Sequence, residues 1–321
     1  MNEVSVVIPN YNGIDYLKTC LNSVLDQSYT DAAVIVVDNG STDGSQELIL
    51  SAYPQIRLIS LSKNTGFCHA VNVGIQAVDS TYVILLNNDT EVEHDFVKNL
   101  LLGIKRHKKA FSCAARMISY HDRDKLDDAG NFYNAFGWAF ARGRGKSVSL
   151  YKKEDQIFAS CGGAAIYQKE IIEEIGSFDE EHFAYLEDID IGYRARILGY
   201  QNWYIPDAQV WHIGSGTSGS QYNRFKIRYS SRNNIYMIYK NMPLLQILVN
   251  LPFLLVGFLL KILFFAGKGY AKEYLAGIKN GFSLSFTAKK RGKKVKYQQQ
   301  NFRHYLRIQW ELWINIFRRL A

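Results

Sequence analysis

Over the first ninety residues, short aliphatic runs alternate with stretches whose apolar positions recur every three to four residues. Val4–Ile8 is β-branched and short, and reads as a buried strand that Pro9 ends. Ile14, Leu17, Leu21, Val24 and Leu25 then recur at helical spacing. Ala33–Val37 is a second strand, followed by a helix to about Tyr53. A third strand follows at Ile56–Ser60, then a helix from Phe67 to about Val78, and Tyr82–Leu86 is a fourth strand. This repeated alternation predicts an α/β fold, a mostly parallel sheet flanked by helices. Ligands of such sheets bind beyond the carboxyl ends of the strands. Those ends are Asn10–Gly13, Asp38–Asp43, Ser62–Gly66 and Asn87–Asp89, all rich in Asn, Asp, Gly and Ser. Turns favour such residues for local reasons. Four in succession, with a carboxylate closing the second and fourth strands, point to a nucleotide-type site.

Beyond residue 109 the pattern is less regular. Ala110–Ile118 includes a strand, and His121–Asp128 reads as a charged loop. Phe132, Tyr133, Phe136, Trp138 and Phe140 cluster among glycines. They form either a mobile hairpin with its own small core or a flap over a ligand, since aromatic faces offer flat stacking surfaces. Further on, Glu187, Asp188 and Asp190 fall within four residues at the start of a helical pattern. Asp188 shares a stripe with Ile191, Ala195 and Leu198, the stripe expected to face inward. Asp190 and Arg194 stand at i,i+4, where they are expected to pair in water. Taken alone, acids at a helix start simply complement its dipole.

The tail changes character. Tyr222–Tyr239 is helical and mixed, and Leu244–Gly267 is strongly apolar and long enough to span a bilayer. From Lys268 onward lie 13 of the 38 basic residues but only 2 of the 30 acidic ones. That segment therefore carries +11 and the remainder −3 of the net +8, which argues against a nucleic-acid footprint over the whole chain. A single span would put the basic Lys268–Lys296 segment opposite a cytosolic active domain, against the positive-inside tendency. An in-plane helix or re-entrant hairpin, with the Lys289–Lys294 run on anionic lipid, fits better. Residues Phe302 to Phe317 predict a final amphipathic helix for membrane or homodimer contact. The expected division is 1–220 for the active domain and 221–321 for membrane association. No basic and apolar leader precedes Val4, so no secretory signal is expected. Cys20, Cys68, Cys113 and Cys161 lack CxxC spacing and read as reduced cytosolic thiols.

A dinucleotide GxGxxG is absent after the first strand. Gly145-Lys146-Ser147 misses the Walker pattern, because the earlier glycine position holds Phe140. The motifs Val4–Gly13 (VSVVIPNYNG), Val37–Ser45 (VDNGSTDGS), Asn64–Gly74 (NTGFCHAVNVG), Leu85–Thr90 (LLNNDT) and Tyr185–Asp190 (YLEDID), with Phe178-Asp179-Glu180, resemble in order those of family 2 glycosyltransferases. The resemblance runs from about Val4 to His212 and is nearest to a rhamnosyltransferase-like subgroup that builds surface polysaccharides. It implies the A-type glycosyltransferase fold and inverting transfer from a nucleoside diphosphate-sugar to a lipid-linked or polysaccharide acceptor, on the cytoplasmic face of the membrane. It makes Asp188 the general base and Asp89 a metal ligand for Mg²⁺ or Mn²⁺. Asn87 stands where the family keeps the first carboxylate of its Asp-x-Asp. His212 resembles a histidine that completes the metal and diphosphate site in some relatives. Asp38 would read the nucleotide base, and Pro9, Tyr11, Asn64, Gly66 and Asn88 join it as substrate-binding residues. Gly163 would border the acceptor, and Glu187 would orient the base or touch the acceptor. The other histidines, His69, His94, His107, His121, His182 and His304, read as structural or surface. Two rivals stand beside this reading. A processive synthase lacks support, since no Gln-x-x-Arg-Trp is present. A catalytically inactive sugar-nucleotide-binding scaffold is left open by Asn87.

Overall fold

The computed structural model describes residues 2–214 and 222–320. Strands β1 (Val4–Asn10), β2 (Ala32–Asp38), β3 (Arg57–Ser60) and β4 (Tyr82–Leu86) alternate with helices α1 (Ile14–Leu25), α2 (Ser45–Ala52) and α3 (Phe67–Gln76). Then come β5 (Thr90–Val92), α4 (Phe96–Arg106), β6 (Ala110–Ser119), β7 (Leu126–Asp128), β8 (Asn131–Tyr133), β9 (Ala139–Ala141), β10 (Asp155–Ile157), β11 (Ala164–Gln168), α5 (Lys169–Ile175), α6 (Glu187–Ile197) and β12 (Gln201–His212). Helices α7 (Arg224–Asn241), α8 (Leu244–Gly267), α9 (Ala271–Lys290) and α10 (Phe302–Leu320) close the chain.

The main sheet runs β10-β12-β6-β11-β4-β1-β2-β3. The four expected strands pair in parallel, β3-β2-β1-β4. The far half is mixed. β11 enters antiparallel between β4 and β6, while β6 and β12 are parallel. That half lacks a regular strand–helix alternation, so its direction was not readable from pattern. β1 also continues through Pro9 to Asn10. Its ladder with β4 has already ended at Val7↔Leu85, so the missing N–H has no pairing to break on that side.

Period-two side-chain direction builds two cores from one sheet. Val4, Val6 and Ile8 of β1 face α1 and α4, whereas Val7 faces α3 with Val37, Val83 and Leu85. A third core joins Phe132 and Tyr133 of β8 and Tyr193 of α6 to Met237, Leu254, Ile308 and Leu312 of the closing helices. The expected edge at residue 220 lies outside the described residues, and the helices beyond it share this core with the sheet.

α8 keeps Gln246, Asn250, Leu254 and Gly257 inward and exposes Leu245, Leu248, Leu255, Leu259 and Leu263. Among the described residues it is the one helix long and apolar enough to cross a membrane. α10 is amphipathic as expected: Tyr305, Ile308 and Leu312 are buried, while Phe302, Leu306, Trp310 and Phe317 are exposed. The basic run is less free than its composition implies. Lys289 and Lys290 end α9, Arg291 pairs with Glu181 at 2.7 Å, and Lys293 lies 4.0 Å from Asp179.

Candidate active site

A cleft of about 1150 Å³ opens beyond the carboxyl ends of β1 and β4. Pro9, Tyr11, Asn64, Asn88, Asp89, Gly163, Glu187, Asp188 and His212 all line it. Asp38 and Gly66 do not. The Asp38 side chain is fully buried and accepts from Asn10 Nδ2 (2.8 Å), Ser41 N (2.9 Å) and Gln46 Nε2 (2.7 Å). Both oxygens are thus engaged, and the carboxylate orders the loop beneath the cleft. Asn10 in turn accepts from Asn88 at 2.6 Å. Asn87 N donates to the Gly163 carbonyl (2.8 Å), and a Cβ at Gly163 would come within 2.9 Å of the Asn87 amide.

Gly66 acts from behind the wall. Its φ is +90°, and an added Cβ would lie 2.6 Å from the Phe183 ring. Gly66→Ala is therefore expected to destabilise the fold by about 1–3 kcal/mol, from backbone strain plus displacement of Phe183. A thermal melt reads this, and an unchanged midpoint would refute the packing argument.

Phe183 opens a strained segment. Phe183, Tyr185 and Leu186 have φ of 62°, 73° and 65°, a region that side-chain-bearing residues rarely enter. Such positions cost about 1–3 kcal/mol each and persist only where surroundings over-determine them. Here α7 supplies the restraint. Asn233 Nδ2 donates to the carbonyls of His182 (2.9 Å), Ala184 (2.8 Å) and Tyr185 (2.8 Å). Arg232 Nη2 donates to those of Glu181 (2.7 Å) and His182 (2.9 Å). The segment ends at the head of α6, where Glu187 and Asp188 turn into the cleft.

The Asp190–Arg194 pair forms at 2.8 Å, but it is buried, not in water. α7 covers this side of α6, which the periodicity of α6 alone cannot reveal. Lys240 Nζ bridges Asp190 (2.9 Å) and Asp179 (2.7 Å), and Asn241 Nδ2 donates to Asp190 at 2.9 Å. Burial would raise the Asp190 pKa, but Lys240 and Arg194 outweigh it and hold the carboxyl well below its usual range. Asp179 is likewise lowered, to about 2, because Lys240 outweighs burial.

Glu187 and Asp188 shift the other way. Burial pushes both carboxyls up, and the Asp188 charge raises Glu187 further. Glu187 Oε2 is buried without a hydrogen-bond partner. Asp188 Oδ2 accepts from Asn131 Nδ2 at 2.6 Å, which aims it from β8. Asp128, also on the cleft, is pushed to about 7 by burial.

β12 pairs with β5 through His212↔Thr90, which brings His212 beside Asp89. Nε2 lies 3.4 Å from Asp89 Oδ1, and Nδ1 lies 2.7 Å from Asp127 Oδ2. Burial would lower the His212 pKa, yet the two carboxylates raise it to about 10. Among the described residues no group of three or more His, Cys, Asp or Glu is arranged for a metal. Asp89 and, once it gives up its proton, His212 Nε2 form a two-donor corner, with Asp127 orienting the imidazole. Such a corner suits a cation that takes its other ligands from phosphates and water.

The chain's homology now bears on this geometry. The model of the family described as glycosyl transferase family 2 matches residues 5–176. The chain belongs to glycosyl transferase family 2. It is 26% identical over 239 residues to the N-acetylglucosaminyl-diphospho-decaprenol L-rhamnosyltransferase of Mycobacterium tuberculosis, covering 67% of this chain and 77% of that one. Its fold is similar to GalNAc-T7, solved with UDP, GalNAc and Mn²⁺, at TM-score 0.59 and 17% identity, over 73% of this chain but only 47% of that one. It is also similar to the mannosyltransferase PcManGT of Pyrobaculum calidifontis, solved with GDP-Man and Mn²⁺, at TM-score 0.56 and 14% identity, over 97% and 84% of the two chains.

Several cleft residues of this glycosyltransferase escaped sequence reading. Asn131, Asp127 and Asp128 lay in stretches read as loop and aromatic hairpin. Arg144, Arg224 and Lys226 supply positive charge at the cleft. Their partners are distant in the chain; Asp127 meets His212 85 positions away. The Asp127-Asp128 pair in a charged run was the one local signal.

Proposed function

We propose that this glycosyltransferase is an inverting enzyme that moves a sugar, rhamnose being the leading candidate, from a nucleoside diphosphate-sugar to a lipid-linked or polysaccharide acceptor in cell-wall glycan synthesis. The observation that carries this reading is Asp188, aimed into the cleft by Asn131 and held above the ordinary carboxylate range by burial. An acceptor hydroxyl needs a base as it attacks. Asp188 takes its proton while oxygen bonds to the anomeric carbon and the nucleoside diphosphate leaves from the opposite face. Glu187, beside Asp188 on the cleft wall, orients the base or touches the acceptor. Arg144, Arg224 and Lys226 attract the diphosphate. Asp89 and His212 would hold a divalent ion, which when bound neutralises charge on the leaving phosphates. The Mn²⁺ bound in both structural neighbours and the activity named for the mycobacterial relative support this reading. Residues 1–220 carry the base and the metal donors, and Arg224 and Lys226 of α7 add charge to the same cleft. Residues 221–321 hold the enzyme at the cytoplasmic membrane face through the exposed side of α8.

The test is a panel of sugar nucleotides offered with a polyprenyl-diphosphate-sugar acceptor, with Mg²⁺, with Mn²⁺ and with chelator. Transfer from one donor is expected, with chelation abolishing it and either ion restoring it. Donor binding without transfer to any acceptor would instead support the inactive scaffold.

A further inference from the structure

The β8–β9 hairpin joins the cleft to α8. At its base Asn131 holds Asp188, and Phe140 lines the cleft. At its tip Phe136 packs on Phe253 of α8 with ring centres 6.0 Å apart, and Trp138 Nε1 donates to the Gly257 carbonyl at 3.1 Å. Even a methyl at Gly257 would come within 2.2 Å of the Phe136 carbonyl oxygen, so the contact is close. One turn further along α8, half-buried Lys261 lies within reach of the charge of Arg319 on α10. Arg319 sits over the Phe140 ring at 5.4 Å and Arg318 over Phe132 at 5.0 Å. Phe132 and Phe140 are directly paired across the hairpin.

Three cations from two helices therefore border the hairpin edge that runs into the cleft. α8 contains no acid, and Glu311, the one acid of α10, is taken by Arg196 and Arg307. No ion pair among the described residues engages Lys261, Arg318 or Arg319. Lys261 is the half-buried member and Arg318 and Arg319 are exposed, so an anion arriving from solvent can reach the arginines and offset the repulsion that Lys261 feels from Arg319. Guanidinium forks match phosphate oxygens, and an ammonium adds a point charge. Beside them lie the exposed Leu259, Leu260 and Leu263 of α8. Charge and apolarity at this corner complement an amphiphile with a diphosphate head and a long hydrocarbon tail.

We propose that Lys261, Arg318 and Arg319 bind the diphosphate of a polyprenyl-diphosphate acceptor. Its tail lies along α8, and the hairpin guides the attached sugar toward Asp188. This deepens the transferase reading by naming how the acceptor is held.

The experiment measures binding of farnesyl diphosphate and of farnesol to the full chain in neutral detergent micelles. The diphosphate is expected to bind and the alcohol not. The combined change Lys261→Gln, Arg318→Gln and Arg319→Gln should weaken diphosphate binding by at least about tenfold, the value of one charge-assisted hydrogen bond. A charge-keeping set, Lys261→Arg, Arg318→Lys and Arg319→Lys, should retain most of it. If the neutral set fails to fold, Arg319→Gln alone, at an exposed side chain, makes the same comparison. Equal binding by the neutral variant, or equal binding of farnesol, overturns the proposal. So does loss of phosphatidylglycerol-vesicle binding with unchanged farnesyl diphosphate affinity, which would make the corner a headgroup site. A chain that binds the diphosphate this way but transfers no sugar would sink the transferase reading and leave the site standing.

Discussion

Asp188→Asn is expected to lower sugar transfer by about 10²- to 10⁴-fold, the usual contribution of a general base. Donor affinity should change little. The amide has nearly the same shape, and its oxygen can still accept from Asn131, so the cleft wall is preserved. What is lost is a site for the acceptor's proton. The unmodified enzyme should show the corresponding pH dependence. Both carboxyls of the Glu187–Asp188 pair are shifted up, so the active, deprotonated base appears at a higher pH than an ordinary carboxylate near about 4 would allow. Activity should therefore rise with pH through a midpoint above that range. The midpoint belongs to the pair, not to either residue. Transfer by Asp188→Asn near the wild-type rate would remove Asp188 from this role.

The second large effect is on stability. Lys240→Met leaves Asp179 and Asp190 buried without the ammonium that bridges them at 2.7 and 2.9 Å. Removing one partner of a buried ionic group costs about 3–5 kcal/mol, which urea unfolding can measure. Adding Asp179→Asn to Lys240→Met should recover part of the loss. A loss below about 1 kcal/mol would place this network with surface pairs in energetic weight. The sign with pH follows from the lowered carboxyls. Their stabilisation is fully present above the ordinary carboxylate value and is lost as pH falls through the folded-state values, about 2 for Asp179. Lys240→Met should blunt that acid sensitivity.

The parallel half of the sheet was legible because each strand and helix announces itself locally. Val4–Ile8 and Tyr82–Leu86 are dense β-branched or aliphatic runs, and α1 repeats its apolar residues at one period. The cleft was legible where ligand-facing loops end those strands, as at Tyr11, Asn64 and Asn88. Reading failed where a role depends on a partner far along the chain. The hydrogen bonds that Asn10 and Gln46 make to Asp38 could not be read from its own loop. Asp190 looked like a solvated i,i+4 partner because Lys240 lies fifty residues later, on another helix. Asn131 carries no chemistry in its own sequence context and matters only through Asp188.

The grip of Asn233 on three backbone carbonyls before α6 bears on how such chains can be rearranged. In the sequence, the junction near residue 220 invites an exchange of tails between relatives. A chimera joined there would inherit a strained loop from one parent and its restraint from another, with no guarantee that the two match. A junction after Asn241 keeps loop, restraint and buried ions in one lineage. Inheritance in this chain should therefore follow the unit ending at α7, and the natural place for a tail to diversify is the short connection before α8.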